Sequence, residues 1–296
     1  MNNKFSLRQY KRKYGTHELC LEAIKQLRFP KDTVCPKCAD KTVFYHVTGR
    51  SSYACKLCGW HVYPLVGTIF DHSSTPLDLW FFAMYLMVQT RAGVSAKQLE
   101  RMLGVTYKTA WRMFKQIRLL MAQGGSMLDG IVEIDETYIG GSSRNHRKDW
   151  LNGVERKEVV MGMVSRDGKA YAKHIPNNGK WTLLAQIKQN VSPSARVITD
   201  EWGGYIHLPK YGYRHDFVKH KETYVVGDIY TQNVENLWSQ IKRGITGVYR
   251  VVSKKYLQAY IDEYTWRYNN RGYNGGMFDQ LLRQVTEVKL LLASTR

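Results

Sequence analysis

Residues 131–141 read Ile131-Val132-Glu133-Ile134-Asp135-Glu136-Thr137-Tyr138-Ile139-Gly140-Gly141, and the first five of them decide the fold. Ile131 to Asp135 reads as an apolar strand that ends on a carboxylate. A second strand is expected over Glu158–Val164 and a third over Ala170–Ile175, with the hairpin signal Asp167-Gly168 between them. Thr182–Gln189 suits a helix. Arg196–Thr199 is a short apolar strand that closes at Asp200. Val234–Ile245 has helical periodicity, with Val234, Leu237, Trp238, Ile241 and Ile245 on one face. Strands first, then helix and strand mixed, describe an α/β or α+β domain around one central sheet.

Three carboxylates stand out in this frame. Asp135 and Asp200 each close an apolar strand, and Glu235 opens the patterned helix. An unpaired carboxylate in such a place costs roughly several kcal/mol. Three that converge can hold two divalent cations through oxygen ligands, as magnesium is held beside phosphate, and two such cations serve phosphoryl transfer. Asp135 and Asp200 are 65 positions apart, room for a hairpin and a crossover helix; Asp200 and Glu235 are 35 apart. Lys242 follows Glu235 by seven residues, two turns on, and shares its face. A cation there can hold a DNA phosphate. Each carboxylate also has a plainer reading: Asp135 as a turn residue, Asp200 as a cap before Trp202-Gly203-Gly204, Glu235 as a first-turn acid favoured by the helix dipole. Glu133, on the strand face of Asp135, competes for its role. Glu136 and Glu201 are expected to point to the other side.

Upstream, Cys35-Pro-Lys-Cys38 and Cys55-Lys-Leu-Cys58 are two C-x2-C pairs with 16 residues between them. Each tight turn offers two thiolates, and two turns face to face complete a closed tetrahedral zinc site, which is structural. Strands over Val43–His46 and Ser52–Ala54 bring the turns together. Cys20 reads as core, and His46 and His61 are not needed as ligands. Between this ribbon and the sheet, Ser95-Ala-Lys-Gln98 starts a helix that Gly104 ends, and Thr106 caps the next, whose buried face is Ala110, Phe114 and Ile117. The layout suits a helix-turn-helix, with Tyr107, Lys108, Thr109 and Arg112 toward DNA, or an ordinary helical hairpin. Gly124-Gly125-Ser126 breaks the helical pattern. The expected domains are therefore 1–74, an N-terminal helix and zinc ribbon; 75–125, the helix-turn-helix; and 126–296, the catalytic domain.

The net charge is +19. A chain this basic usually meets a polyanion, although a solubilising surface or a ribosomal partner gives the same balance. No apolar run follows the basic N-terminus as in a signal peptide, and the longest apolar stretch, Leu79–Val88, falls short of a membrane span. Four of five cysteines in two tight pairs fit a reducing compartment. A cytoplasmic, nucleoid-associated protein with no membrane contact is expected.

At this point the residues resemble a known family. Val132 to Gly141 looks like the first catalytic strand of bacterial insertion-sequence transposases with an N-terminal zinc ribbon, relatives of the eukaryotic Merlin elements. Glu235-Asn-Leu-Trp-Ser-Gln-Ile-Lys-Arg243 resembles their third catalytic motif, Tyr260–Arg271 their C-terminal helix motif, and the cysteine pairs their ribbon. The resemblance implies a ribonuclease H-like catalytic domain, and a DDE triad of Asp135, Asp200 and Glu235 with Lys242 as the family's basic residue. It implies two catalytic ions of magnesium or manganese, one zinc in the ribbon, and binding to terminal inverted repeats and target DNA. Pairing two element ends implies a homodimer on DNA. Many relatives carry Asn three residues before this Glu, and some are described as using Asn as the third ligand; here Gln232 stands there, with Asn233 next to it. The rival readings are a non-enzymatic zinc-ribbon and helix-turn-helix regulator, a domesticated transposase, and a plain metal nuclease.

Overall fold

Hydroxyl caps and a central glycine divide the N-terminal part of the chain into helices. In the computed structural model Ser6 caps helix α1 (Leu7–Tyr14) and Thr16 caps α2 (His17–Arg28), each accepting a backbone N–H. The residues described are 5–122, 124, 127–140, 157–219, 227–272 and 276–287; Gln123, Gly125, Ser126 and Gly141, which the sequence reading used, lie outside them. Five short strands follow: β1 (Thr33–Val34), β2 (Lys41–Thr42), β3 (Phe44–His46), β4 (Tyr53–Cys55) and β5 (His61–Val62). β3, β4 and β5 form an antiparallel sheet in which Phe44 pairs with Cys55. Helices α3 (Leu77–Gln89), α4 (Ala96–Leu103) and α5 (Tyr107–Leu120) come next. Ser95 caps α4, and Gly104 ends it at φ 65°, a left-handed conformation glycine adopts without a steric cost.

The rest of the chain builds one mixed sheet. β6 (Ile131–Gly140), β7 (Lys157–Ser165) and β8 (Ala170–Ile175) run antiparallel; after helix α6 (Lys180–Asn190), β9 (Arg196–Thr199) and β10 (Arg214–Phe217) add parallel strands. The order across the sheet is β10-β9-β6-β7-β8. Helix α7 (Gln232–Gly244), a turn of π-helix (Ile245–Tyr249) and helix α8 (Lys254–Asn270) follow. Two cores flank the sheet, as strand alternation requires. Val132 and Ile134 pack with α6 through Leu183 and Ile187, while Ile139 and Val160 pack with Val234, Leu237 and Ile261 of α7 and α8.

Two differences from the sequence reading have physical causes. Asp135 does not end its strand: β6 pairs with β7 out to Gly140, but its pairing with β9 stops at Glu133, so Asp135 lies where one neighbour falls away. The third region also stops short of residue 296. The chain divides into two compact units, Met121–Arg271 and Met1–Leu120 with Gly272–Arg296. Helix α9 (Gly276–Glu287) buries Phe278, Leu281 and Leu282 in the second of these, where Phe278 packs among Phe5, Tyr14 and Phe81.

Candidate active site

Register brings the first two carboxylates together. β6 and β9 are parallel with Glu133 beside Ile198, so two residues further on Asp135 comes level with Asp200, just past the end of β9. Odd-numbered residues of β6 face α7, which runs alongside the strand in the same direction. Trp238 of α7 donates from Nε1 to Asp135 Oδ2 at 2.8 Å. The ring has room because Asp135 pairs with Gly162 on β7: a Cβ there would lie 2.5 Å from the Trp238 ring. Glu235 stands one turn before Trp238, exposed, with its Oε1 accepting from Thr231 Oγ1 at 3.2 Å. Asp200 Oδ1 accepts the Trp202 N–H at 3.0 Å.

Burial dominates the electrostatics of the β6 carboxylates. Burial pushes the Asp135 carboxyl up to about 6; the Trp238 bond opposes this, and the charges of Asp200 and Glu235 reinforce it. Glu136 lies on the opposite face of the sheet, as its parity requires. Burial pushes it up to about 8, opposed by the Tyr205 hydroxyl and reinforced by Asp135 and Asp200. Glu136 Oε1 and the Tyr205 hydroxyl are both buried, and their contact is not a hydrogen bond of ordinary geometry. Neighbouring carboxylates raise one another's proton affinity, and a divalent cation relieves that repulsion. The donor set of Asp135, Asp200 and Glu235 is all hard oxygen, which suits magnesium or manganese.

Glu133 has a different occupation. Its carboxylate is fully buried and accepts from Arg166 Nε at 3.0 Å, from Asn233 N and Asn233 Nδ2 at 2.8 Å each, and from Val234 N at 3.4 Å. It ties down the N-terminus of α7, where the helix dipole favours an anion, and occupies the Asn233 side chain. Arg166 also lies over the Tyr230 ring, 3.8 Å from its centroid. Sequence reasoning missed the Glu133–Arg166 pair, Trp238 and Gly162. The one available signal was a glycine inside an apolar strand.

The four sequence-predicted cysteines come together. Cys35, Cys38, Cys55 and Cys58 have all four sulfurs within 4.8 Å of one another, with Cys35–Cys58 at 3.7 Å and Cys38–Cys55 at 4.0 Å. Zinc–sulfur bonds of about 2.3 Å in a tetrahedron separate the sulfurs by roughly 3.8 Å, so the cluster fits zinc. The two turns match: Ala39 N–H donates to Cys35 O at 2.9 Å and Gly59 N–H to Cys55 O at 3.0 Å, both residues at positive φ. Cys20 is buried, with its sulfur on Tyr14 O. His61 Nδ1 is 3.3 Å from Ser52 Oγ, and the His46 ring packs on Tyr53.

Tyr107, Lys108, Thr109 and Arg112 lie at the start of α5. Thr109 N–H is capped by Thr106 Oγ1. The Tyr107 ring is half exposed, with the Lys97 ammonium 5.8 Å from its centroid. Arg112 donates to Ser73 Oγ at 2.9 Å. Lys108, Arg112 and Lys115 line an open groove of about 490 Å³ with Ser74 and Thr75. Lys242 lies in a separate groove, beside Ile139 and Gly140. Among the described residues no helix is long and apolar enough to cross a membrane.

Residues 127–269 match the ISXO2-like transposase domain, and residues 15–61 match the transposase zinc-ribbon domain. A relative from Halobacterium salinarum, described as an uncharacterized protein in transposable element ISH50, is 26% identical over 263 residues, covering 82% of this chain and 88% of the relative. Among solved structures, the simian T-cell lymphotropic virus intasome in complex with PP2A regulatory subunit B56 gamma aligns at 13% identity and a TM-score of 0.30, over 56% of this chain and 67% of that chain.

Proposed function

We propose that this chain, a member of the insertion-sequence transposases with an N-terminal zinc ribbon, binds the terminal inverted repeats of its element, cuts the DNA there and joins the freed end to target DNA. The observation that carries the reading is the strand register that brings Asp135 level with Asp200 beside the helix that carries Glu235, inside the residues that match the transposase domain. The order β10-β9-β6-β7-β8, antiparallel on one side of β6 and parallel on the other, supports a ribonuclease H-like catalytic domain of about residues 126–271.

Asp135, Asp200 and Glu235 would hold two magnesium or manganese ions, which when bound activate the attacking oxygen and stabilise the leaving one. The protein's own part is to place these ligands. Trp238 orients Asp135 through its indole N–H, Gly162 leaves room for that indole, and Glu133 fixes the start of the helix that carries Glu235. With Asn233 engaged by Glu133, Glu235 is the third ligand. Water and then the 3′-hydroxyl serve as nucleophiles, so no covalent protein–DNA intermediate is needed. Helices α4 and α5 act as a helix-turn-helix whose groove, lined by Lys108, Arg112 and Lys115, takes the DNA backbone. Action on two element ends calls for a homodimer on DNA, in the cytoplasm and at the nucleoid.

A strand-transfer assay tests this, with magnesium, labelled element-end duplex taken from the DNA flanking the gene, and a target plasmid. Joined product is expected. Cutting without joining indicates a metal nuclease, and binding without cutting a regulator or an inactive descendant.

A further inference from the structure

The helix that carries Glu235 ends in a run of unusual backbone that the carboxylate site does not require. At Gly244, the last residue of α7, a Cβ would lie 1.9 Å from the Tyr264 hydroxyl. The chain then makes one π-helical turn, Ile245–Tyr249. Such turns are frequent at functional sites. Arg250 follows at φ 62°, ψ −59°, and Val251 N–H donates to Tyr249 O across it at 2.7 Å. This is a γ-turn of the positive-φ kind, rare and strained for a residue with a side chain. Packing does not explain it, because Arg250 is exposed.

The two devices shape a groove of about 280 Å³ lined by Ile139, Gly140, Lys242, Ile245, Thr246 and Arg250. Ile139 and Ile245 are buried and form an apolar floor, while Lys242, Thr246 and Arg250 are exposed. Among the described residues neither Lys242 nor Arg250 has a carboxylate partner. The groove is in line with the carboxylates. α7 begins on Glu133, crosses Asp135 at Trp238 and reaches Ile139 and Gly140 at Lys242. Glu235, Ser239, Lys242 and Thr246 follow one another at helical spacing as an exposed stripe roughly 16 Å long.

We propose that Thr246 and Arg250 extend the phosphate contact expected of Lys242, so that this groove holds the phosphodiester backbone of the DNA strand being cut beyond the scissile phosphate. The inference rests on the transposase reading and adds to it the path of the strand. Cations and a hydroxyl over an apolar floor suit a phosphate–sugar backbone. The strain at Arg250 serves to aim a guanidinium, which binds phosphate through a two-pronged set of donors.

The test is metal-free binding of the full-length chain to a fluorescent element-end duplex across a range of potassium chloride concentrations, so that affinity is read without cleavage. Arg250→Gln is expected to weaken binding about tenfold at low salt, the worth of a charged hydrogen bond. It should also reduce the slope of log affinity against log salt by about 0.7–0.9, the loss of one phosphate contact. Arg250→Lys is expected to restore the slope. An unchanged slope in Arg250→Gln overturns the groove assignment alone. A lost slope that Arg250→Lys does not restore also overturns it, because the effect is then one of backbone. A wild-type chain that fails to bind the duplex overturns the transposase reading itself.

Discussion

Replacing Asp135 by Asn should stabilise the magnesium-free protein while it abolishes cutting. The Asp135 carboxyl ionises near 6 in the folded chain, against about 3.9 when exposed. The folded state therefore binds this proton more tightly than the unfolded state does. Stability falls as pH rises from about 4 to about 6 and stays reduced above that. A difference of this size corresponds to about 3 kcal/mol, a ceiling because the side chain is only partly buried. Asn removes the charge, keeps the shape and still accepts the Trp238 N–H. For a unit the size of Met121–Arg271, the gain amounts to a melting temperature higher by roughly 5–10 °C. Native-state hydrogen exchange of peptides from β6 and β7, without added magnesium, measures the opening of this unit directly. The advantage of Asp135→Asn should be absent near pH 4 and full above pH 7. Magnesium should stabilise the wild type and leave the variant unchanged. A variant less stable than wild type at neutral pH, or a difference that does not change with pH, refutes the reasoning.

Gly162→Ala should push the Trp238 ring off Asp135, costing about 1–3 kcal/mol of overpacking and most of the cleavage rate; urea unfolding and single-turnover cleavage measure both. Glu133→Gln should cost roughly 1–3 kcal/mol, because Glu133 is fully buried and its charge accepts from Arg166, Asn233 and Val234; if stability is unchanged and only metal-dependent cutting is lost, Glu133 is a ligand and not an anchor. Glu235→Gln should slow cleavage roughly a thousandfold or more, while Gln232→Ala, at an exposed position, leaves it near wild type in the same assay. Cys38→Ser should lose the single zinc and unfold residues 30–60, since zinc binding supplies the folding energy of so small a module; elemental analysis with an unchanged zinc content contradicts this.

Much of the fold was legible because its signals are local. Two C-x2-C pairs announce their own cluster, and Arg196–Thr199 and Ala170–Ile175 form strands with the bounds that apolar patterning set. Ser95, Gly104 and Thr106 do what capping chemistry predicts. What the sequence hid depends on partners far apart along the chain. Glu133 and Asp135 share a strand face and look interchangeable. Only the packing of α7 sets Asn233 against Glu133 and the Trp238 indole against Asp135. The extension of β6 beyond Asp135 follows from pairing with β7, and β10 holds its place beside β9. The return of α9 to the unit of α1–α3 rests on the buried face of Phe278, Leu281, Leu282 and Val285, with Phe278 among the aromatics.

The central claim is that Asp135, Asp200 and Glu235 close on divalent cations. Anomalous diffraction from crystals soaked in manganese locates those ions directly. Two peaks are predicted, with ligands drawn from Asp135, Asp200 and Glu235, and neither in contact with Glu133. No peak at these carboxylates, or manganese held by Glu133 or by Glu136 and Tyr205 in their place, would contradict the account.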